Sequence, residues 1–249
     1  MRKLILHIPH SSSNIPLLDG YISDVFKIKT EIIKLTDWYT DELFDSENEI
    51  KIIAPFSRIF CDVERFVNDD EEIMSKVGMG ATYELFDDGA LLRKLTQKLR
   101  EIIIKDYYLK HHKALNEEVD RQLRQYGKVL ILDCHSFSST PFIRDMNKNT
   151  NRPDFNIGTD KFHTPNELID KSMRFFDNLG YSCGLNWPYN GSIVPINHYH
   201  KNINVKTIML EVNRNLYLNE PSNNKSDNFI KTKKIVSDYI QILKSEFYG

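Results

Sequence analysis

Residues 128–139 read Lys-Val-Leu-Ile-Leu-Asp-Cys-His-Ser-Phe-Ser-Ser. Val129 to Leu132 is an unbroken apolar run, preceded by Gly127 and followed by a hydroxyl-rich turn. That pattern predicts a strand buried on both faces, as in a parallel or mixed sheet covered by helices. Side chains alternate along a strand, so Val129, Ile131, Asp133 and His135 share one face. Two polar groups thus arrive together at the carboxyl end of a central strand, where open α/β sheets place their ligands. A core histidine beside a turn-capping aspartate would look the same locally, so the rest of the chain must decide.

Working outward, residues 3–8 read as a first strand ending at Pro9-His10-Ser11-Ser12-Ser13. Residues 50–56 and 205–212 read as further strands, and 181–185 as a short one. Helical spacing runs over 31–44, over 91–119 with a break near Tyr107-Tyr108, and over 229–247. A helix over 166–179 is expected to open with a cap at Asn166 or Thr164. Residues 141–165 read as loop, 186–191 as a turn, and 219–227 as mobile. Strands alternate with helices from end to end, with no linker and no repeat. The expectation is a single α/β domain over residues 1–249, a three-layer α/β/α arrangement around a mixed, mostly parallel central sheet.

The totals narrow the function classes. A chain of 249 residues with 41% hydrophobic and 27% charged residues is long enough and apolar enough for a sizeable core. The formal net charge of -2, with lysines and arginines scattered, gives no field that would attract nucleic acid or an anionic membrane. Cys61, Cys134 and Cys183 have no regular spacing, which argues against a disulfide framework and a cysteine-built zinc site. The apolar run at Leu4 to Leu6 ends at His7 and is too short for a signal peptide, and no run is long enough for a membrane span. A cytoplasmic protein is expected.

Polar clusters fall at or near strand ends: His10, Arg58 with Arg65, Asp133 with His135, and Glu211 with Asn213 and Arg214. His-Ser-Phe-Ser at 135–138 resembles the His-Ser-Tyr-Ser segment of zinc carboxypeptidases, and Leu210-Glu211 resembles the strand that carries their catalytic glutamate. The order of motifs is more specific. It runs Pro9-His10-Ser11, Asp37-x-x-x-Asp41-x-Leu43, Ser57-Arg58-x-x-x-Asp62-x-x-Arg65, Asp133-x-His135-Ser136, Asn186-x-Pro188-Tyr189-x-Gly191 and Glu211-x-Asn213-Arg214. This succession, over residues 4–218, resembles the N-formylglutamate amidohydrolase family. The resemblance implies a zinc-dependent amidase with the phosphorylase/hydrolase-like fold of the zinc carboxypeptidases. Two departures stand out: His10-Ser11-Ser12 where the family usually has His-Ser-Gly, and Asp62-Val63-Glu64-Arg65 where it usually has Asp-x-Asn-Arg. A glutamate at 64, beside the expected anion site, would disfavour a second substrate carboxylate.

Physical roles can be argued beside the resemblance. A hydrolytic zinc takes about three protein ligands and keeps one open position. His10 and His135 are the expected nitrogen ligands. The carboxypeptidases take a glutamate three residues after their first histidine; here that position is Ser13, so a carboxylate must come from elsewhere. Asp37 is the expected third ligand, with Asp41 in reserve, since helical spacing puts both on one face; a solvated or helix-capping face is the bland alternative. Asp133 is expected to hold a ligand histidine's tautomer, or to cap the turn. Glu211, among Ile208, Met209, Leu210 and Val212, needs a cation or a proton to be buried. Beside an activated water it would be the general base; otherwise it pairs with Arg214.

Arg58 and Arg65 are expected to grip a substrate carboxylate bidentately, with one of the two serving instead in a structural ion pair with Asp62. Asn213 would position the acyl oxygen or backbone, Arg214 would supply charge, and Asn190-Gly191 would close a turn on the substrate. His112, at a family histidine position, would line the pocket. His111 is expected to face solvent, and His198 and His200 to lie on a loop surface. The expected reaction is zinc-dependent hydrolysis of the linear amide of a small-molecule N-acyl amino acid, N-formyl-L-glutamate first. The alternatives are a metallo-carboxypeptidase or peptidoglycan-like amidase, and a non-catalytic binding protein for acidic ligands on the same fold. A serine hydrolase using Ser136 fits less well, because no Gly-x-Ser-x-Gly elbow is present.

Overall fold

A computed structural model describes residues 2–249. Six strands form the main sheet: β1 (Ile5–Ile8), β2 (Ile50–Ile53), β3 (Val129–Phe137), β4 (Phe155–Gly158), β5 (Cys183–Leu185) and β6 (Val205–Asn213). Their spatial order is β2-β1-β3-β6-β4-β5. All neighbours are parallel except β4 against β6, so the sheet is mixed and mostly parallel, as the apolar runs predict. β3 is buried along its whole length and lies between β1 and β6.

Helices cover both faces. Ile5, Val129, Ile131 and Val205 pack against Leu115 and Val119 of α4 (Leu109–Tyr126). On the other face Leu4, Leu6, Leu130, Leu132, Ile208 and Leu210 meet α5 (Asn166–Asn178) and α6 (Phe229–Tyr248) through Leu168, Phe176, Val236 and Tyr239. Alternation along each strand sends one set of apolar side chains to each helical layer.

Several expected elements differ in detail. The helix expected over 31–44 is two pieces, α1 (Val25–Leu35) and α2 (Thr40–Leu43). The chain leaves helical geometry at Thr36, and the next amide, Asp37 N–H, donates to the His10 carbonyl at 2.9 Å instead of to its own helix. The long helical region opens with α3 (Gln97–Ile103), passes through a π turn at Ile104–Tyr108, where a break was expected, and continues as α4. β4 lies inside the stretch read as loop. It is only four residues long and follows Pro153, too short for a period to show. α5 has no side-chain cap, because Thr164 Oγ1 donates to the Thr207 carbonyl. The stretch read as mobile contains a paired hairpin, β7 (Leu218–Asn219) with β8 (Asn224–Lys225). Among the described residues no helix is long and apolar enough to cross a membrane.

Candidate metal and active site

The carboxyl ends of β1, β3 and β6 converge with the loop between α1 and α2. His10 lies just past β1, Asp37 on the loop, His135 near the end of β3, and Glu211 beside it on β6. The Asp37 amide bonded to the His10 carbonyl fixes the two loops to each other. Asp37 Oδ2 lies 3.7 Å from His10 Nδ1 and 3.4 Å from His135 Nδ1, and the two rings are 5.1 Å apart. All three residues are buried.

These separations suit ligands better than hydrogen bonds. His10 Nδ1 is buried and has no hydrogen-bond partner among the described residues, and neither has Glu211 Oε2. A buried polar atom without a partner is costly. Ligand atoms about 2.0–2.2 Å from a tetrahedral zinc stand about 3.3–3.5 Å apart, close to the observed spacings. Two imidazole nitrogens and a carboxylate oxygen also form a donor set suited to zinc. His10, Asp37 and His135 therefore fit a metal ion.

Each of the three is held from its far side. His10 Nε2 is 2.8 Å from Asp62 Oδ1, and His135 Nε2 is 3.0 Å from Asp133 Oδ1. A proton on each Nε2 satisfies those carboxylates and leaves Nδ1 free for a metal. Asp37 Oδ1 accepts from the Arg214 guanidinium at 2.9 Å. Burial works against the Asp37 charge, yet the two facing imidazoles and Arg214 hold its carboxyl well below the usual range. Burial likewise opposes the charge on His135, but Asp133 raises its pKa well above the ordinary value.

Asp62 has more partners than the sequence suggests. It accepts from Arg58 Nε at 3.1 Å and Nη2 at 2.9 Å, from the Tyr83 hydroxyl at 2.9 Å and from the Glu64 amide at 3.0 Å. Arg65 Nε is 3.7 Å away. Both arginines expected at an anion site thus brace Asp62, and Arg65 Nε is buried without a hydrogen-bond partner among the described residues. Glu64 Oε1 lies 3.0 Å from His7 Nδ1 as an ion-pair contact and has no hydrogen-bond partner among the described residues.

Glu211 is the register partner of His135 on one side and of Asn156 on the other. Burial pushes its carboxyl up, to about 8, against the pull of His135. Asn156, which the sequence reading missed inside the expected loop, is fully buried. It donates to the Tyr189 carbonyl and accepts from the Trp187 amide, each at 2.9 Å, and so fixes the 187–189 turn beside Glu211.

Other expected site residues have different settings. Asp41 is exposed and lies outside the ligand group. Arg214 commits its nitrogens to Asp37, Ser136 Oγ and the Lys34 carbonyl, and so anchors Asp37 from within the core. Asn213 spends its amide on the Pro153 carbonyl and the Asn215 amide. His112 is within hydrogen-bonding distance of the Val63 carbonyl and lies against Tyr108, while Asn190 is exposed. His111, expected at the surface, is buried. His198 and His200 pair with Asp120 and Asp160, away from this cluster.

The chain matches the family model described as N-formylglutamate amidohydrolase over residues 2–218. It is 24% identical to an N-formylglutamate deformylase of Pseudomonas aeruginosa, covering 96% of this chain and 92% of that protein. It is 22% identical to the Pseudomonas putida protein of the same description, covering 96% and 91%. The crystal structure of an N-formylglutamate amidohydrolase from Ralstonia eutropha JMP134 superposes with a TM-score of 0.85 at 21% identity, covering 100% of this chain and 95% of that one. The motif order, the matching fold and the family match over residues 2–218 agree, and this chain belongs to the N-formylglutamate amidohydrolase family.

Proposed function

We propose that this protein is a zinc-dependent hydrolase of linear amides in N-acyl amino acids, with N-formyl-L-glutamate as its substrate. The observation that carries the reading is the pair of buried, partnerless atoms, His10 Nδ1 and Glu211 Oε2, in the cluster that Asp37 and His135 complete. The relatives described as N-formylglutamate deformylases support the substrate.

His10, Asp37 and His135 would hold the metal. A zinc ion bound there supplies a Lewis acid for the acyl oxygen and makes water acidic enough to attack at neutral pH. Glu211 takes the proton of the attacking water and passes it to the leaving amine. Burial raises the proton affinity of its carboxylate, so the ionised form is a stronger base toward the water. The free edges of Arg58 and Arg65 take the substrate carboxylate while Asp62 holds them. The products are formate and L-glutamate. The proposal places the enzyme in the cytoplasm, where its three free cysteines stay reduced.

The test is elemental analysis of the purified protein, run with a formate-release assay on N-formyl-L-glutamate. One zinc per chain together with formate release supports the reading. A protein that takes up no zinc and releases no formate overturns it.

A further inference from the structure

Behind the metal cluster the interior of the sheet holds a second set of polar groups. His7 lies in β1, opposite Asp133 of β3 in the strand register, and is fully buried. Its Nδ1 is 2.9 Å from Asp133 Oδ1 and 3.0 Å from Glu64 Oε1. Its Nε2 is 2.8 Å from Nε2 of His111 on α4. Asp133 Oδ1 is also the acceptor for His135 Nε2, and Asp133 Oδ2 accepts from the Ile193 amide at 2.9 Å. A chain of contacts thus runs from His111 through His7 and Asp133 to His135.

We propose that His7, backed by His111, is a positioning residue of the metal site: through Asp133 it fixes the ring and the tautomer of His135. The inference rests on the metal-site reading above.

The hydrogen-bond accounting leads there. Two imidazole nitrogens 2.8 Å apart must share one proton. His7 Nδ1 faces two carboxylates and must be a donor. If His7 also donates from Nε2, it is an imidazolium and His111 is its neutral acceptor. The surroundings favour that assignment. Burial opposes charge on His7, but Asp133 and Glu64 outweigh it and raise its pKa to about 9. Burial and the charge of His7 push His111 down to about 2.

The effect passes through Asp133. This carboxylate is fully buried, and its Oδ1 is held between two ring donors, His7 Nδ1 and His135 Nε2. Without His7, its remaining donors are His135 and one amide. Rotation of Asp133 then turns Oδ1 away from His135 and removes the acceptor that keeps the His135 proton on Nε2. In the other tautomer His135 carries its proton on Nδ1, toward Asp37, and that nitrogen no longer ligates. The π turn at Ile104–Tyr108 stands directly before the helical turn that carries His111, and such insertions are frequent at functional sites.

His7, Glu64 and Asp133 also have the residue types of a cation site. His7 Nδ1 hydrogen-bonds Asp133 Oδ1 at 2.9 Å, and Glu64 Oε1 stands 3.0 Å from the same nitrogen as an ion-pair contact without a hydrogen bond; both separations are shorter than the about 3.3 Å or more between ligand atoms of a tetrahedral zinc. A proton, not a second metal, fits there.

The experiment compares the wild-type protein with His7→Leu and His7→Gln. Zinc affinity is measured by competition with a chromophoric chelator, and ring-nitrogen NMR is recorded on the metal-free proteins. His7→Leu is expected to bind zinc about 10–100-fold more weakly and to lose the hydrogen-bonded Nε2–H signal of His135. His7→Gln keeps an N–H donor toward Asp133 and is expected to recover most of both. Wild-type affinity with an unchanged His135 signal in folded His7→Leu overturns the proposal. So does a wild-type His7 that lacks a proton on Nδ1, or two zinc ions per wild-type chain. If His7→Leu does not fold, the wild-type spectrum and His7→Gln decide. A wild-type chain that takes up no zinc defeats the metal reading alone, because the spectra of the metal-free proteins still test the link from His7 to His135.

Discussion

His135 and Glu211 are register partners on the adjacent parallel strands β3 and β6. Their side chains leave the sheet side by side on one face, about 4.8 Å apart at the backbone. One offers a nitrogen to the cluster around Asp37, and the other offers a carboxylate with a free oxygen. A rigid sheet therefore sets the spacing between the expected metal ligand and the expected base.

Glu211→Gln is nearly isosteric and leaves His10, Asp37 and His135 intact. It should keep its zinc and lose about 10²–10⁴-fold in turnover, the range for a positioned general base. Formate release measured beside zinc content checks this. Turnover at the wild-type level would remove Glu211 from the base role.

Asp62→Asn should act on two properties together. His10 Nε2 would lose its charged acceptor, so zinc affinity should fall about 10–100-fold. Arg58 would lose the carboxylate it grips with Nε and Nη2, at a cost of about 1–3 kcal/mol of stability. Chelator competition and urea unfolding measure the two separately. A variant with full stability and full affinity would show that Asp62 only fills space.

Asp87 gives a pH dependence away from the His10, Asp37 and His135 cluster. Its carboxylate pairs with Lys34 and accepts from the Ile143 amide at 2.9 Å and the Arg144 amide at 2.7 Å. Burial opposes its charge, but these donors hold its pKa below the ordinary value. A depressed carboxylate stabilises the fold above its unfolded pKa, about 3.9, and that contribution fades as pH falls through the folded value. Asp87→Asn should lose about 1–3 kcal/mol at neutral pH. The gap to wild type should narrow in melts taken from pH 5 down toward 3. A gap that stays constant over that range would contradict the assignment.

Gly158 tests the wall of the site. A Cβ there would stand 2.2 Å from Met209 Cε and 2.4 Å from the Gly191 carbonyl oxygen. A methionine tip can move, but a main-chain carbonyl moves only with its loop, and that loop carries the Ile193 amide bonded to Asp133. Gly158→Ala should cost about 1–3 kcal/mol and speed hydrogen exchange at Ile193. Exchange at the wild-type rate would show that the loop absorbs the extra methyl without shifting.

The sequence carries some of this plainly. Leu130 to Leu132 and Ile208 to Leu210 are apolar on successive residues, the pattern of strands covered on both faces, so β3 and β6 are legible. His10, Asp37, His135 and Glu211 are legible as residue types. The geometry of Asp37 is not: helical spacing suggests a shared face with Asp41, but the amide bond to His10 breaks the helix first. β4 and its Asn156 are hidden by shortness. The buried setting of Arg214 depends on a contact with Asp37 across 177 positions, which no local pattern records. His7 did leave a signal, as a histidine inside an apolar strand, but its partners on α4 and β3 follow only from register and packing.

The buried ion pair of Asp37 with Arg214 also constrains the order of events during synthesis. A ribosome delivers the chain from its amino end, so His10 and Asp37 emerge long before β6 exists. Until residue 214 has left the exit tunnel, Asp37 has no guanidinium to hold it and His135 has no Glu211 beside it. Capture of the proposed metal would therefore belong to the end of folding, and an arrested nascent chain that stops short of residue 214 would carry His10, Asp37 and His135 without the finished cluster.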